Sequence, residues 1–161
     1  MVDVVIDTDI LSTFCKIGKL ELLQRLFRKS TIIIAPSVYK EIRMAMQSGL
    51  LTYSPPARFS RVKLEPAERK LAREIHERKR LGEGDCECIA IAMERKSLLL
   101  TNDQHAQKEA SARHIEYLDL PLVLRELWKT RIMKREQLLE LVAEIQDKDN
   151  IVIDTLGLIL Q

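Results

Sequence analysis

The chain has 161 residues, of which 46% are hydrophobic and 31% charged, and its formal net charge is +2. This length predicts a single domain, residues 1–161, with enough apolar side chains for a core. The small net charge excludes a protein-wide field that would by itself select the partner. No apolar run reaches the roughly 20 residues needed to cross a bilayer, and the N-terminus is unlike a signal peptide. We therefore expect a cytoplasmic protein without membrane contact.

Buried strands and amphipathic helices alternate along the sequence. Strands are predicted at residues 2–6, 31–34, 98–100 and 114–118, with a short one at 61–64. Helices are predicted at 10–17, 20–27, 36–46 and 67–80, between Gly84 and Lys96, shortly after His105, and at 121–128 and 134–145. Residues 49–61 are predicted to form a loop. This alternation indicates an α/β sandwich with a parallel sheet.

The core is expected to span about residues 2–130, followed by a C-terminal helix and an apolar tail in 131–161. That tail is expected either to dock on the core or to meet a partner chain. The three cysteines, Cys15, Cys86 and Cys88, are expected to be buried apolar side chains in a reducing compartment.

Four carboxylates occupy matching positions around the predicted strands. Asp7 follows the first strand, Glu41 lies in the helix after the second, Asp103 follows the third, and Asp85 lies in the first turn of the preceding helix. The carboxyl ends of parallel strands share one edge, so we expect these acids to converge there. Such a cluster raises its own pKa values unless a cation neutralises it, and oxygen ligands suit Mg²⁺ or Mn²⁺. A cation of this kind can activate water against a phosphodiester.

Each acid also has a simpler interpretation. Asp7 and Asp103 could each be a helix N-cap, and Glu41 could be a solvated helix residue. Asp85 could be a favourable charge at a helix start. Near the first of these acids, Thr8 or Asp9 is a candidate cap of the first helix. Asp9 is alternatively a fifth acid near the metal, and the cap is the favoured interpretation.

Residues 57–80 carry nine basic and four acidic side chains, a local net charge of +5. A basic helix beside an acidic metal site suits a phosphate backbone, and the candidate nucleic-acid-binding residues are Arg61, Lys63, Arg69 and Arg73. The alternative is a solvated helix stabilised by Glu65–Arg69 and Glu74–Arg78 pairs.

Four sequence blocks together resemble the PIN domain, and most closely its small prokaryotic VapC-like members. The blocks are Val5-Ile6-Asp7-Thr8, Pro36-Ser37-Val38-Tyr39-Lys40-Glu41-Ile42, Gly84-Asp85-Cys86-Glu87-Cys88-Ile89-Ala90-Ile91-Ala92 and Leu99-Leu100-Thr101-Asn102-Asp103. The resemblance implies a three-layer α/β/α sandwich with a mainly parallel sheet of four or five strands. It also implies a Mg²⁺- or Mn²⁺-dependent endoribonuclease that cleaves RNA with a metal-activated water.

The same resemblance assigns residues and partners. It makes Asp7, Glu41, Asp85 and Asp103 the catalytic and metal-binding residues, with Thr8, Thr101 and Asn102 in support. Glu83 or Glu87 is the alternative to Asp85, which is preferred because it precedes the run of small residues. A VapC-like role implies a toxin with a small antitoxin protein as partner, and a homodimer. The early helices and the apolar tail are candidates for the dimer interface.

Two other functions compete with this one. Asp7-Thr8-Asp9 partly matches the nucleophile loop of haloacid-dehalogenase-like phosphatases, in which Asp7 would be the nucleophile, but Leu11 stands where that motif needs Thr or Val. The other alternative is a non-catalytic PIN-like module for RNA binding or scaffolding, against which the complete set of four acids argues.

Overall fold

The computed structural model describes residues 2–51, 59–154 and 156–161. The strands in these residues are β1 (Val4–Ile6), β2 (Ile32–Ile34), β3 (Phe59–Arg61), β4 (Leu98–Leu100) and β5 (Tyr117–Leu118). The helices are α1 (Thr8–Lys16), α2 (Leu20–Leu26), α3 (Pro36–Gln47), α4 (Pro66–Arg78), α5 (Glu83–Arg95), α6 (Gln104–Ala112), α7 (Leu120–Lys129), α8 (Arg135–Asp149) and α9 (Leu156–Ile159).

The five strands form one parallel sheet in the order β3-β2-β1-β4-β5. All residues of β1 and β2 are buried Val or Ile, as expected for strands covered by helices on both faces. The three-layer α/β/α sandwich is confirmed, and of the two predicted strand numbers the structure has five. The strand order reverses between β1 and β4, so the carboxyl ends of these two strands flank the switch point at which open α/β sheets build their sites.

Helix α5 is the central helix of one layer and contacts β1, α3, α4 and α6. Small residues such as Cys88, Ala90 and Ala92 are buried along it and permit this close packing. In the other layer α1 contacts α2 and α8, and α7 contacts α2 and α8. The three cysteines are free and buried, as predicted.

A buried ion pair joins α4 to α5. The Glu68 carboxylate is 1% exposed and accepts hydrogen bonds from Nε of Arg95 at 2.6 Å and from its terminal nitrogen at 2.9 Å. The ion pairs of the described residues do not include the predicted Glu65–Arg69 and Glu74–Arg78 pairs. The acidic residue Glu68 of α4 thus stabilises the packing of two helices rather than the surface of one.

The third strand lies earlier than predicted. The structure has β3 at Phe59–Arg61 instead of 61–64, with Arg61 in register with Ile34 of β2. This is an edge strand in which only Phe59 is buried, so its apolar pattern is too weak to fix its position from sequence. Of the predicted loop at 49–61, residues 52–58 lie outside the described residues, and so does Arg58 of the basic run.

The apolar C-terminal tail contacts its own chain. Asn150 ends α8 in the left-handed conformation, with a φ of 51°. Further along, Ile159 of α9 is 2% exposed, and α9 contacts α7. Of the two predicted positions for the tail, the structure shows docking on the core. No helix in the described part of the chain is long and apolar enough to span a membrane.

Candidate metal centre at the carboxyl edge of the sheet

Asp7 lies at the carboxyl end of β1 and is 2% exposed. Its Oδ1 accepts a hydrogen bond from the amide of Ile10 at 3.0 Å, so Asp7 is the N-cap of α1. The predicted capping of this helix by Thr8 or Asp9 is therefore wrong, because both residues already lie within its first turn. Asp7 is therefore both a helix cap and one of the four acids predicted at this edge of the sheet. We call these four residues, Asp7, Glu41, Asp85 and Asp103, the acidic edge.

The residues after β4 hold the other side of Asp7. The Thr101 hydroxyl donates to Oδ2 of Asp7 at 2.7 Å, and the amide of Asn102 donates to the same oxygen at 3.2 Å. The amide of Asp103 donates to the Thr101 hydroxyl at 3.2 Å, and Asp103 itself caps α6 by accepting from Ala106 at 2.8 Å. These bonds fix the ends of β1 and β4 to each other and place Asp7 and Asp103 on the same edge.

Glu41 reaches this edge because α3 approaches α5 very closely. A Cβ atom placed on Gly84 would lie 3.3 Å from Oε1 of Glu41, 3.4 Å from Cγ2 of Val38 and 3.8 Å from the Thr8 hydroxyl. Only glycine leaves the carboxylate this much room at the start of α5. Asp85 is the next residue, so the same helical turn brings Asp85 and Glu41 together.

The pKa values of Asp85 and Asp7 reflect how close the acids lie to one another. Burial raises the pKa of Asp85 to about 7, and four carboxylates add to the effect, namely those of Asp103, Asp7, Asp9 and Glu41. Burial also raises the pKa of Asp7 to about 6, although its three hydrogen bonds oppose this. An ionised carboxylate disfavours the ionisation of a neighbouring carboxylate, because the two share a site with little water.

None of the four predicted site acids has an ion-pair partner in the residues that the structure describes, and Lys16, the cation that acts on Asp9, is paired with Asp149. The ion pairs found there involve Asp149, Glu144, Glu109 and Glu68, and none of the four predicted site acids. Nor do three His, Cys, Asp or Glu side chains in this part of the chain already stand at the spacing of a formed metal site. The donor set is nevertheless one of hard oxygen ligands, which fits a divalent cation of the Mg²⁺ or Mn²⁺ type once the side chains close around it.

The two acids that competed with Asp85 lie elsewhere. The Glu87 carboxylate accepts hydrogen bonds from the amide and the hydroxyl of Ser37. Exposed Glu83 lines a groove between α4 and α5. The structure thus brings Asp85, rather than Glu83 or Glu87, next to the other acids.

Two further acids, Asp9 and Asp149, lie near the edge, and only Asp9 was a candidate from the sequence. Burial, and then the carboxylates of Asp103 and Glu41, raise the pKa of Asp9, so Asp9 lies with the cluster. Asp149, at the end of α8, also contributes to this effect and accepts from Thr13 and Lys16, each at 2.5 Å. No short-range pattern connects Asp149 to residues more than 130 positions away, whereas the spacing Asp7-Thr8-Asp9 did allow a fifth acid.

The predicted nucleic-acid-binding residues do not form one patch. The Arg61 guanidinium stacks on the ring of Tyr39, 3.4 Å from its centroid. Arg69 and Arg73 line the groove between α4 and α5, which has a volume of about 280 Å³. Lys63 is exposed just before α4, and its carbonyl accepts from Arg95. The structure therefore separates Arg61 on Tyr39 from the pair in the groove.

An α/β/α sandwich with a carboxylate cluster at its switch point defines the class of protein. A family model described as a PIN domain matches residues 3–156, and the chain belongs to the PIN domain family. No curated protein matches it. PIN domains are generally nucleases and typically use divalent metals, so membership indicates a nuclease-type function.

Proposed function

We propose that this protein is a Mg²⁺- or Mn²⁺-dependent endoribonuclease whose site is formed by Asp7, Glu41, Asp85 and Asp103. The observation that carries the proposal is the set of four acids gathered at the switch point, none of which has an ion-pair partner among the described residues. Two of them, Asp7 and Asp85, have pKa values that burial raises. Such an arrangement destabilises a protein unless a cation compensates it.

The side chains of the edge have distinct parts in this proposal. Thr101 and the Asn102 amide fix the orientation of Asp7, as outer residues around metal ligands do. Gly84 leaves the space in which Glu41 approaches. When bound, the cation would lower the pKa of a water molecule and stabilise charge on the phosphate. Asp7 itself is a poor nucleophile for the phosphatase alternative, because it is buried and both its oxygens accept hydrogen bonds.

RNA is the proposed substrate because basic side chains flank the acidic edge. Arg69 and Arg73 line the groove beside α5, the helix that carries Asp85, and can contact phosphates of the strand being cleaved. Arg61 and Tyr39 form a stacked pair at the carboxyl end of the edge strand β3. The VapC-like toxin role, the small antitoxin and the homodimer stay predictions from the resemblance.

The test compares two N-cap substitutions that differ in one respect. Asp103→Asn removes a charge from the acidic edge, whereas Asp119→Asn removes one from the cap of α7 after the neighbouring strand β5. Asparagine caps helices as well as aspartate does, so both variants keep their helix starts. Cleavage of end-labelled RNA is measured with Mg²⁺, with Mn²⁺ and with EDTA.

We expect wild type and Asp119→Asn to cleave with either metal, and EDTA to stop both. Asp103→Asn should be slower by about 100-fold or more, because several kcal/mol of transition-state stabilisation depend on the cation. Equal rates for Asp103→Asn and wild type would refute the proposed site. Binding of RNA without cleavage by any of these proteins would instead support the non-catalytic alternative.

A further inference from the structure

The Glu87 side chain connects α5 to the first turn of α3. Its Oε1 accepts a hydrogen bond from the Ser37 amide at 2.8 Å, and its Oε2 accepts one from the Ser37 hydroxyl. These residues are 50 positions apart in the sequence. The contact is partly buried and is a direct side-chain link between the two helices that carry Glu41 and Asp85.

Helix α3 has no cap of its own. Its N-cap residue is Ala35, which has no side-chain acceptor, and its first residue is Pro36, which has no amide hydrogen. The Ser37 amide is one of the donors at a helix start that lack an intrahelical partner, and the dipole there favours a negative charge. The Glu87 carboxylate, on a neighbouring helix, provides both the acceptor for this amide and the negative charge.

The same two helices make a second contact one turn away. Ser37 and Glu41 are four residues apart and lie on one face of α3, while Gly84 and Glu87 are three residues apart and lie on one face of α5. Glu41 approaches Gly84 while Ser37 binds Glu87, so the helices run in opposite directions along this contact. Two contacts at successive turns fix the distance between α3 and α5, and they also prevent α3 from sliding along α5.

We propose that Glu87 is a positioning residue that holds α3 against α5 so that Glu41 faces Asp85 and the acidic edge. The inference rests on the proposed function insofar as that edge binds a divalent cation. Glu87 is not a ligand of the cation in this proposal. It lines the same groove as Arg69 and Arg73, and it acts on the cation site through the position of Glu41.

The experiment measures Mn²⁺ affinity in four proteins, by calorimetry or by the EPR signal of free Mn²⁺. Glu87→Ala removes both bonds to Ser37 and should weaken Mn²⁺ binding by about 10-fold or more, as loss of a partner that orients a ligand does. Glu87→Gln keeps an acceptor for the amide and can bond the hydroxyl, so it should stay within about 3-fold of wild type. Glu83→Ala removes a charge from the same helix and should also stay within that limit, which controls for charge loss alone.

A double-mutant cycle separates positioning from other roles. In a Glu41→Ala background, Glu87→Ala should no longer change Mn²⁺ affinity, because the side chain it positions is gone. An unchanged affinity for Glu87→Ala alone would overturn the proposal. So would an equal loss with and without Glu41, since that result would mean a direct ligand or a general weakening of the fold.

Amide hydrogen exchange provides a measurement that needs no metal. The Ser37 amide should exchange faster in Glu87→Ala than in wild type, and Glu87→Gln should restore its protection. If the wild type bound no Mn²⁺, the proposed function would fail, and exchange would still decide whether Glu87 holds α3. Unchanged protection of Ser37 in Glu87→Ala would overturn the positioning role whatever the metal result.

Discussion

Replacing Asp85 with Asn is expected to stabilise the metal-free protein. Burial and the neighbouring carboxylates raise the pKa of Asp85 to about 7, whereas its ordinary value is 3.8. At about 1.4 kcal/mol per pH unit, this difference corresponds to about 4 kcal/mol of lost stability above pH 7. Because the side chain is partly exposed, solvent screening lowers the figure, and we expect about 2 kcal/mol.

Asp85→Asn is expected to stabilise rather than destabilise the protein because folding raises the pKa of Asp85. The pKa of Asp85 is higher in the folded than in the unfolded chain, so folded protein binds more protons between about pH 4 and pH 7. Its contribution to stability is therefore fully present below about pH 4 and is lost as the pH rises through about 7. The amide of Asn does not titrate and removes this loss.

The assay is thermal unfolding in EDTA at pH 8 and at pH 5. For a domain of this size, 2 kcal/mol corresponds to an increase in Tm of about 4–8 °C for Asp85→Asn at pH 8. The increase should be smaller at pH 5, and the control Asp119→Asn should change Tm little at either pH. A Tm of Asp85→Asn at or below that of wild type at pH 8, or the same gain at both pH values, would refute the electrostatic reasoning.

Four further substitutions test three separate parts of the structure. Gly84→Ala should change the free energy of unfolding by less than about 1 kcal/mol, since the gain in helix propensity offsets the contact with Glu41, yet it should lower the cleavage rate. Glu68→Gln should lower urea-derived stability by about 2 kcal/mol, because Arg95 loses a buried partner, and should leave cleavage by the folded fraction unchanged. Arg69→Gln and Arg73→Gln should each reduce the slope of log affinity for single-stranded RNA against log salt by about 0.7.

The sequence predicted the sheet and the acidic edge because both depend on local patterns. Continuous apolar runs such as Ile32–Ile34 and Leu98–Leu100 indicate buried strands. Parallel strands place the residues that follow their carboxyl ends at one edge of the sheet. Asp7 and Asp103 needed no further information. Asp85 needed in addition the resemblance to the PIN domain, because Glu83 lies in the same first turn of the helix before β4.

The contacts between helices were not predictable in the same way. Periodicity shows which face of α4 is apolar, but it does not show that Glu68 turns inward to Arg95 on another helix. In the same way, Glu87 resembles a metal ligand until the structure shows that it binds Ser37. Both are charged side chains whose partners lie on another helix, 27 and 50 residues away, and a single sequence holds no record of such pairs.

The stability lost at the acidic edge and the proposed metal binding are two sides of one arrangement. A cation that binds only the folded protein stabilises it by about 2.7 kcal/mol at one hundred times its Kd. This is close to the roughly 2 kcal/mol that Asp85 is expected to withdraw at pH 8. The metal-loaded wild type should therefore be about as stable as metal-free Asp85→Asn, and Mn²⁺ should stabilise that variant far less. The fold tolerates the repulsion among these acids because the hydrogen bonds to Asp7 and the packing of α3 on α5 hold the carboxylates where a cation can reverse it.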